Sequence, residues 1–132
     1  MTMTDPIAAL LTRIRNAQQA GHEALKVTSS KEKVAIVQIL KNEGFISDFA
    51  VVADKPRDSI EVKLRYSREN AGAIHGIRRE STPGRRVYVT AKQIPQVRSG
   101  LGLAIVSTSK GVLAGHVARA ENVGGELICT VW

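Results

Sequence analysis

Two short polar segments near the end of the chain have residue types that could bind a ligand. Residues 107–111 (Ser-Thr-Ser-Lys-Gly) offer hydroxyls, an ammonium group and backbone N–H groups directly after an apolar run. These groups match the phosphates, 2′-hydroxyls and base edges of RNA. Residues 124–126 (Gly-Gly-Glu) add glycines that allow close backbone approach and a carboxylate that can accept from a base amino group. An ordinary polar turn and a sharp glycine turn would have the same compositions.

Patterns typical of catalysis or metal binding are absent from the sequence. The run Gly100-Leu101-Gly102 lacks the third glycine of a dinucleotide fingerprint, and neither a Walker motif nor a Gly-x-Ser-x-Gly elbow occurs. The three histidines are far apart and Cys129 is the single cysteine, so we expect no metal, no cofactor and no disulfide. A hydrolase using Ser107 or Ser109 stays as an alternative, because it needs only a histidine base that folding brings within hydrogen-bond reach.

Positive charge is concentrated in the middle of the chain. The 132 residues include 19 Lys and Arg against 12 Asp and Glu, a net charge of +7. Residues 53–98 carry +6 of it, whereas residues 99–132 are neutral overall. This excess predicts a polyanionic partner, nucleic acid before an anionic membrane surface, although a basic face that merely aids solubility would have the same composition.

Two further observations narrow the class of partner. Aromatic residues make up only 4% of the chain, too few for the stacking platforms that bind single strands, so we expect a folded or duplex RNA. A basic DNA-binding module is the other alternative, but the arginines concentrate on predicted strands rather than on a recognition helix. No run approaches the roughly 18 apolar residues of a membrane span, and the N-terminus lacks the pattern of a signal peptide. We therefore expect a soluble cytoplasmic protein.

The first half of the chain has the periodicity of two helices and three strands. Thr4 or Asp5 can cap a helix that begins at Pro6, has an apolar stripe over residues 7–14 and stops near Gly21. A strand at 25–28 precedes a second helix, opened by a capping box of Ser29 and Glu32. Strands at 45–52 and 60–66 follow, separated by a turn at 54–58. Residues 1–66 are thus predicted to form an αβαββ domain with its helices on one side of a small sheet.

The second half has mainly the two-residue period of strands. Residues 67–72 are a predicted linker, and 73–80 and 85–90 are predicted to pair as one hairpin around the turn 81–84, which would carry Arg78, Arg79, Arg85, Arg86 and Tyr88. A buried strand at 103–106, one or two helical turns at 117–122 and a final strand at 126–132 follow. Residues 67–132 should form a mainly-β domain with a short helix. The predicted fold class is α/β of the α+β type, in two small domains.

Residues 100–113 (Gly-Leu-Gly-Leu-Ala-Ile-Val-Ser-Thr-Ser-Lys-Gly-Val-Leu) closely resemble the signature of the bacterial small-subunit ribosomal protein eight family. Residues 124–132 (Gly-Gly-Glu-Leu-Ile-Cys-Thr-Val-Trp) resemble that family's closing strand. Other matching segments are 4–8, 11–16, 29–31, 43–46 and 83–88, together with Lys41. The resemblance runs in register over essentially the whole chain.

This resemblance implies a non-enzymatic, two-domain structural protein of the small ribosomal subunit, located in the cytoplasm. Such a protein binds directly to a helix in the central domain of 16S ribosomal RNA, joins early in assembly and helps organise the platform. The implied protein neighbours are small-subunit proteins five and twelve. In some bacteria the family also represses its own operon by binding a similar messenger RNA helix. No membrane, cofactor or small-molecule substrate is implied.

The resemblance also implies site residues, carried over position by position. The implied contact loop is Ser107, Thr108, Ser109 and Lys110; the residues matching the same surface are Tyr88, Gly124, Gly125 and Glu126; the N-terminal contributors are Thr4, Ser30 and Lys31. We expect affinity to come from phosphate contacts of Arg78, Arg79, Arg85, Arg86 and Lys110. Position and specificity should come from Ser107, Ser109 and Glu126.

The chain departs from the family's pattern at residues 114–116. Ala-Gly-His stands there, where the family often has Thr or Ser followed by Asp. The change removes a residue able to cap the short helix that follows, so we expect this helix to begin late or to fray.

Overall fold

The computed structural model describes residues 5–132, apart from the side chains of residues 99 and 100, and the chain divides into two compact units. One unit is residues 9–74, and the other is residues 75–132 with the described residues before position 9. Residues 67–74 pack with the first unit, since Tyr66 bridges to Gly72 and the Gln18 amide binds the backbone N–H and C=O of Ile74. The domain boundary after residue 66 stays a prediction.

The first unit has the predicted αβαββ order. Its elements are α1 (Pro6–Gln19, whose first residues belong to the other unit), β1 (Ala24–Thr28), α2 (Lys31–Asn42), β2 (Ile46–Val52) and β3 (Ser59–Leu64). The strands form an antiparallel sheet in the order β1-β3-β2. Apolar residues at helical spacing on α1 and α2 and at alternate positions of β3 are fully buried, including Ile14, Ile36, Leu40, Ile60 and Val62. The predicted periodicities are thus confirmed.

The two helix starts differ in how well the sequence predicted them. Helix α1 begins at Pro6 as predicted, and the Asp5 carboxylate accepts from the Ala8 N–H at 3.1 Å. The predicted capping box of α2 is wrong by one residue, because Ser30 is the cap and its hydroxyl accepts from the Lys33 N–H at 3.2 Å. Ser29 still belongs to the end of the sheet, since its N–H donates to the Asp58 carbonyl at 2.8 Å.

The second unit is built on a five-stranded antiparallel sheet. Its elements are β4 (Ile77–Arg79), β5 (Tyr88–Val89), 3₁₀ turns at Ala91–Gln93 and Val97–Gly100, β6 (Leu103–Thr108), β7 (Gly111–Ala114), α3 (Gly115–Ala120) and β8 (Gly125–Val131). The strand order is β4-β8-β6-β7, with β5 pairing to β8 beyond the end of β4. Strands β6 and β8 are buried on both faces, which is why they read as apolar runs and lie at the centre of the sheet.

The predicted hairpin of residues 73–80 and 85–90 is wrong. Strands β4 and β5 both run antiparallel to β8, so they run in the same direction and cannot pair as a hairpin. Residues 80–87 instead connect the two strands as what we call the β4–β5 loop, whose two ends are still hydrogen-bonded to β8 at Ile128 and Leu127. Its tip is the predicted turn, closed by two backbone hydrogen bonds of 3.1 Å between Thr82 and Arg85. Alternation predicts a strand, but it does not identify the strand's partner.

The predicted late start of the short helix is also wrong. Helix α3 begins at Gly115 although Ala114 supplies no side-chain cap. Gly115 is packed so tightly that a Cβ there would lie 3.0 Å from Ile94 and 3.1 Å from Ala104. Ala118 is fully buried in a core cluster with Ile94, Ala104, Val106 and Leu127. Packing against the sheet therefore sets where this helix begins.

Candidate nucleic-acid interface

Three of the predicted site residues form one row across the second sheet. Tyr88 on β5 lies opposite Glu126 on β8, and Glu126 lies opposite Ser107 on β6. Directly opposed residues of antiparallel strands place their side chains on the same face, with Cβ atoms about 5 Å apart. The adjacent pair Val106 and Leu127 faces the α3 core, so the row occupies the opposite face. We call Tyr88, Glu126 and Ser107 the cross-strand row.

The middle residue of this row, Glu126, is held by two donors from the β4–β5 loop. The Ser81 hydroxyl donates to Glu126 Oε2 at 2.6 Å, and Arg86 Nη1 donates to the same oxygen at 2.8 Å. The Glu126 side chain is only 18% exposed. Burial raises the pKa of Glu126, but the bonds from Ser81 and Arg86 outweigh it and hold this pKa below its ordinary value. The carboxylate is therefore ionised at neutral pH.

Ser81 is the residue of this site that the sequence analysis missed. It is fully buried, and besides donating to Glu126 its hydroxyl accepts from the Val87 N–H at 3.0 Å. A serine two residues before a Pro-Gly pair is ordinary turn chemistry, so the local sequence contained no signal that this hydroxyl would be buried.

The predicted contact loop is a two-residue turn between β6 and β7. Thr108 lies opposite Gly111, which has φ +109°, with Ser109 and Lys110 between them. The Thr108 hydroxyl accepts from the Lys110 N–H at 3.0 Å and donates to the Gly111 carbonyl at 2.8 Å. Thr108 therefore stabilises the turn, while Ser109 and Lys110 are exposed at its tip.

The glycine pair permits a close approach, but the neighbour is the chain's own backbone. A Cβ on Gly125 would lie 2.0 Å from the Ser107 carbonyl oxygen, and one on Gly124 would lie 2.3 Å from the Val89 carbonyl oxygen. Both distances are far below contact, so β8 can pair with its neighbours only because these residues lack side chains. A contact of either glycine with RNA stays a prediction.

The predicted phosphate-binding arginines differ in how accessible they are. Arg85 is exposed, Arg78 is 73% exposed beside Glu80, and Arg86 is half exposed while it binds Glu126. Arg79 is only 11% exposed, and its guanidinium donates to the Asp5 carboxylate at 3.0 Å and to the Ile128 carbonyl at 2.7 Å. The predicted phosphate contact of Arg79 is therefore wrong, because the side chain is already used inside the unit.

Two of the three predicted N-terminal contributors, Ser30 and Lys31, do not belong to the unit of the cross-strand row. Ser30 caps α2, and Lys31 is its exposed first residue; both belong to the unit of residues 9–74. Thr4, the third of them, lies outside the described residues.

The structure offers little for catalysis around the row. In the sheet, the cross-strand neighbours of Ser107 are Glu126 and Val112, neither of which is a histidine. The backbone N–H of His75 donates to the carbonyl of Trp132, beyond the end of β8 that is far from Ser107. Over residues 5–132, no group of three His, Cys, Asp or Glu residues could hold a metal ion. None of the described helices is long and apolar enough to cross a membrane.

Comparison with known proteins assigns the family. The model of the family described as ribosomal protein S8 matches residues 5–132. The chain is 52% identical to the small ribosomal subunit protein uS8 of Roseiflexus castenholzii and 52% identical to that of Geobacter metallireducens, in both cases over the whole of both chains. It is 45% identical, again over both full lengths, to the uS8 protein of Halothermothrix orenii. The chain therefore belongs to the ribosomal protein S8 family and is a structural, non-enzymatic component of the small ribosomal subunit.

Proposed function

We propose that this chain binds directly to a helix in the central domain of 16S ribosomal RNA through the cross-strand row and the β6–β7 turn. The observation that carries the proposal is the alignment of Tyr88, Glu126 and Ser107 on one face of three adjacent strands. The row spans about 10 Å, twice the spacing between strands. Such a rigid row suits the wide, shallow minor groove of an RNA helix, where 2′-hydroxyls and base edges are accessible.

Each group of the row would have a different role. The ionised Glu126 carboxylate accepts from a base amino group or a 2′-hydroxyl, and the Ser107 hydroxyl both donates and accepts. Tyr88 is 70% exposed and offers a ring for a base or sugar to pack against. Ser109 and the glycine pair flank this row. Arg85, Arg86 and Lys110 bind phosphates, which supplies affinity rather than specificity.

A second, weaker set of contacts is proposed for the predicted N-terminal contributors. Lys31 offers an exposed ammonium group for a phosphate, and Ser30 and Thr4 are assigned with it from the family resemblance alone. We expect Lys31→Ala to weaken binding by a small factor that does not depend on the RNA sequence, because a phosphate contact carries no base information.

The ribosomal setting extends the proposal to further partners. We propose that this protein works in the cytoplasm, joins the subunit early, helps organise its platform and has small-subunit proteins five and twelve as neighbours. A messenger RNA helix of similar shape from its own operon would bind the same row and allow repression of that operon. If so, this helix and the ribosomal RNA helix compete for one site, and Glu126→Ala weakens both.

The test begins with the RNA that copurifies with the protein and resists nuclease. A helix of the central domain should be among the protected sequences; its absence from them would overturn the proposal. With this helix in hand, Ser107→Ala and Glu126→Ala should each weaken binding by about 5- to 100-fold, the cost of a buried polar contact. Ser47→Ala, an exposed serine of the other unit, is the matched control and should bind normally. Duplex DNA should fail to compete at physiological salt.

A further inference from the structure

We infer that Ser81 is a positioning residue for RNA binding: it never touches RNA, and it acts by holding the Glu126 carboxylate in its binding orientation. The inference rests on the proposed function and adds to it a residue outside the contact surface. Ser81 is completely buried, so any influence on a ligand must pass through the groups that its hydroxyl binds.

The hydroxyl of Ser81 joins the two ends of the β4–β5 loop to the cross-strand row. It accepts from the N–H of Val87, the residue just before Tyr88, and it donates to the carboxylate of Glu126. The Val87 carbonyl in turn accepts from the Leu127 N–H at 2.9 Å, directly beside Glu126. One buried hydroxyl thus binds the residue next to Tyr88 and the side chain of Glu126.

The arrangement of donors decides which carboxylate oxygen is available to a ligand. The hydrogen bonds from Ser81 and Arg86 both fall on Oε2. The proposed acceptor for RNA is therefore Oε1, the other oxygen. Two donors of different kinds on one oxygen restrict rotation of the carboxylate, so less freedom is lost when RNA binds. Arg86 is half exposed and can be drawn away by a phosphate, whereas Ser81 stays in place.

A double-mutant cycle separates positioning from general stabilisation. Ser81→Ala, Glu126→Ala and the double variant are each titrated with the protected RNA helix. We expect Ser81→Ala to weaken binding about tenfold in the wild-type background, the loss of one charge-assisted hydrogen bond. In the Glu126→Ala background the same change should have almost no effect. A merely structural role of Ser81 would reduce affinity equally in both backgrounds.

A titration of the free protein supplies a readout that does not depend on RNA. Removing the Ser81 hydroxyl leaves burial in place while taking away a bond that favours the ionised form, so the pKa of Glu126 should rise. Carbon-13 detected titration of the Glu126 carboxyl measures this directly, and the acid limit of RNA binding should move to higher pH with it. Ser59→Ala is the matched control, since Ser59 is also buried and donates to a carboxylate, Asp54, at 3.1 Å in the other unit.

The outcomes distinguish the two proposals. If Glu126→Ala binds RNA as tightly as wild type, the proposed contact surface is wrong, and the positioning role fails with it. If Glu126→Ala weakens binding but Ser81→Ala does not, or if the two changes are additive, only the inference about Ser81 is overturned. Circular dichroism checks folding of each variant. Ser81→Cys retains a weaker donor at similar size and should lie between wild type and Ser81→Ala, which keeps the test valid if the alanine variant is unstable.

Discussion

Burial decides which of the polar side chains near the row can meet a ligand. Arg79 and Arg85 are both arginines of the same basic segment, yet one is enclosed by Asp5 and the Ile128 carbonyl and the other is exposed. Thr108 and Ser109 are adjacent hydroxyls, yet the first is used inside the turn. Residue type predicts what a group could do, whereas its partners in the folded chain decide whether it is available.

This difference between the two arginines gives a paired prediction. Arg79→Ala should lower the free energy of unfolding by about 2–3 kcal/mol, because it leaves the mostly buried Asp5 carboxylate without its cationic partner and with only the Ala8 N–H to bind it. Arg85→Ala should leave stability unchanged but lower the salt slope of RNA binding by about one unit or less. Urea unfolding and titrations at several salt concentrations check both. An Arg79 variant that lost salt slope without losing stability would contradict the assignment.

Cys129 provides a prediction about alkaline pH. Burial in β8 raises the pKa of its thiol to about 12, against 9.0 in an unfolded chain. Between those values the unfolded chain loses a proton that the native protein keeps, so stability falls as pH rises above about 9. The loss should approach about 1.4 kcal/mol for each pH unit. Urea midpoints between pH 7 and 10 measure it.

Cys129→Ala is the comparison variant for this measurement. It is expected to be less stable at neutral pH, because a small cavity forms, but to show a shallower alkaline decline. Other groups that titrate in this range are common to both proteins and cancel. Equal slopes for the two proteins would show that the thiol ionises freely in the native state, and rapid reaction with a thiol reagent at pH 8 would show the same.

At the scale of elements, the first sheet has an edge strand that two side chains cover. Among the described strands, β1 pairs only with β3, so the carbonyls of Lys26 and Thr28 on its other side face no described strand. Arg13 Nη2 donates to the Lys26 carbonyl at 2.8 Å, and Lys33 Nζ donates to the Thr28 carbonyl at 3.0 Å. Charged side chains along an edge discourage pairing with a second molecule.

Removing this cover should therefore promote self-association. We expect the double variant Arg13→Ala/Lys33→Ala to form oligomers or aggregates at concentrations where wild type does not. The control Lys55→Ala/Arg57→Ala loses the same two charges from the exposed turn before β3. Sedimentation velocity compares the three proteins. Equal association of the two double variants would mean that lost net charge, rather than an uncovered edge, is responsible.

At the scale of the whole chain, folding redistributes the charge that the sequence concentrates in residues 53–98. The boundary at residue 74 divides this block between the two units. The unit with the cross-strand row holds eight Lys or Arg and four Asp or Glu, and the other unit holds eleven and eight. Both units are therefore basic, and the neutral C-terminal strands lie in the same sheet as β4 and β5, which come from the later part of the basic block.

The overall salt dependence of RNA binding follows from this distribution. Since several cations are paired within their units, the slope of log K against log salt should have a magnitude of about 2–4, well below the net charge. Arg85→Ala/Lys110→Ala should lower this magnitude by about one to two units, whereas Lys55→Ala/Arg57→Ala should not change it. A wild-type slope with a magnitude near seven would mean that Lys and Arg over the whole surface bind phosphates, rather than only those beside the row.

The sequence by itself determined the features that depend on neighbouring residues. Pro6 and the stripe that follows it predicted α1, the alternation around Val62 predicted β3, and the Pro-Gly pair predicted the tip of the β4–β5 loop. Residues 100–113 were enough to indicate the family. These signals are local, since backbone preferences and the exposure of successive side chains act over a few residues.

Only the tertiary structure decided which strands pair and which polar groups are already bonded within the protein. The contacts concerned join residues that lie dozens of positions apart in the sequence. They are the pairing of β4 and β5 with β8, the hydrogen bond from Ser81 to Glu126 and the ion pair between Asp5 and Arg79. The alternation of apolar and polar residues in a strand does not depend on which strand it pairs with. The residues next to a serine or an arginine likewise do not show whether its side chain is buried or exposed. The sequence could therefore indicate which residues belong to the site. The folded sheet places three of them, Tyr88, Glu126 and Ser107, in a row, and the ion pair with Asp5 makes Arg79 unavailable for a phosphate contact.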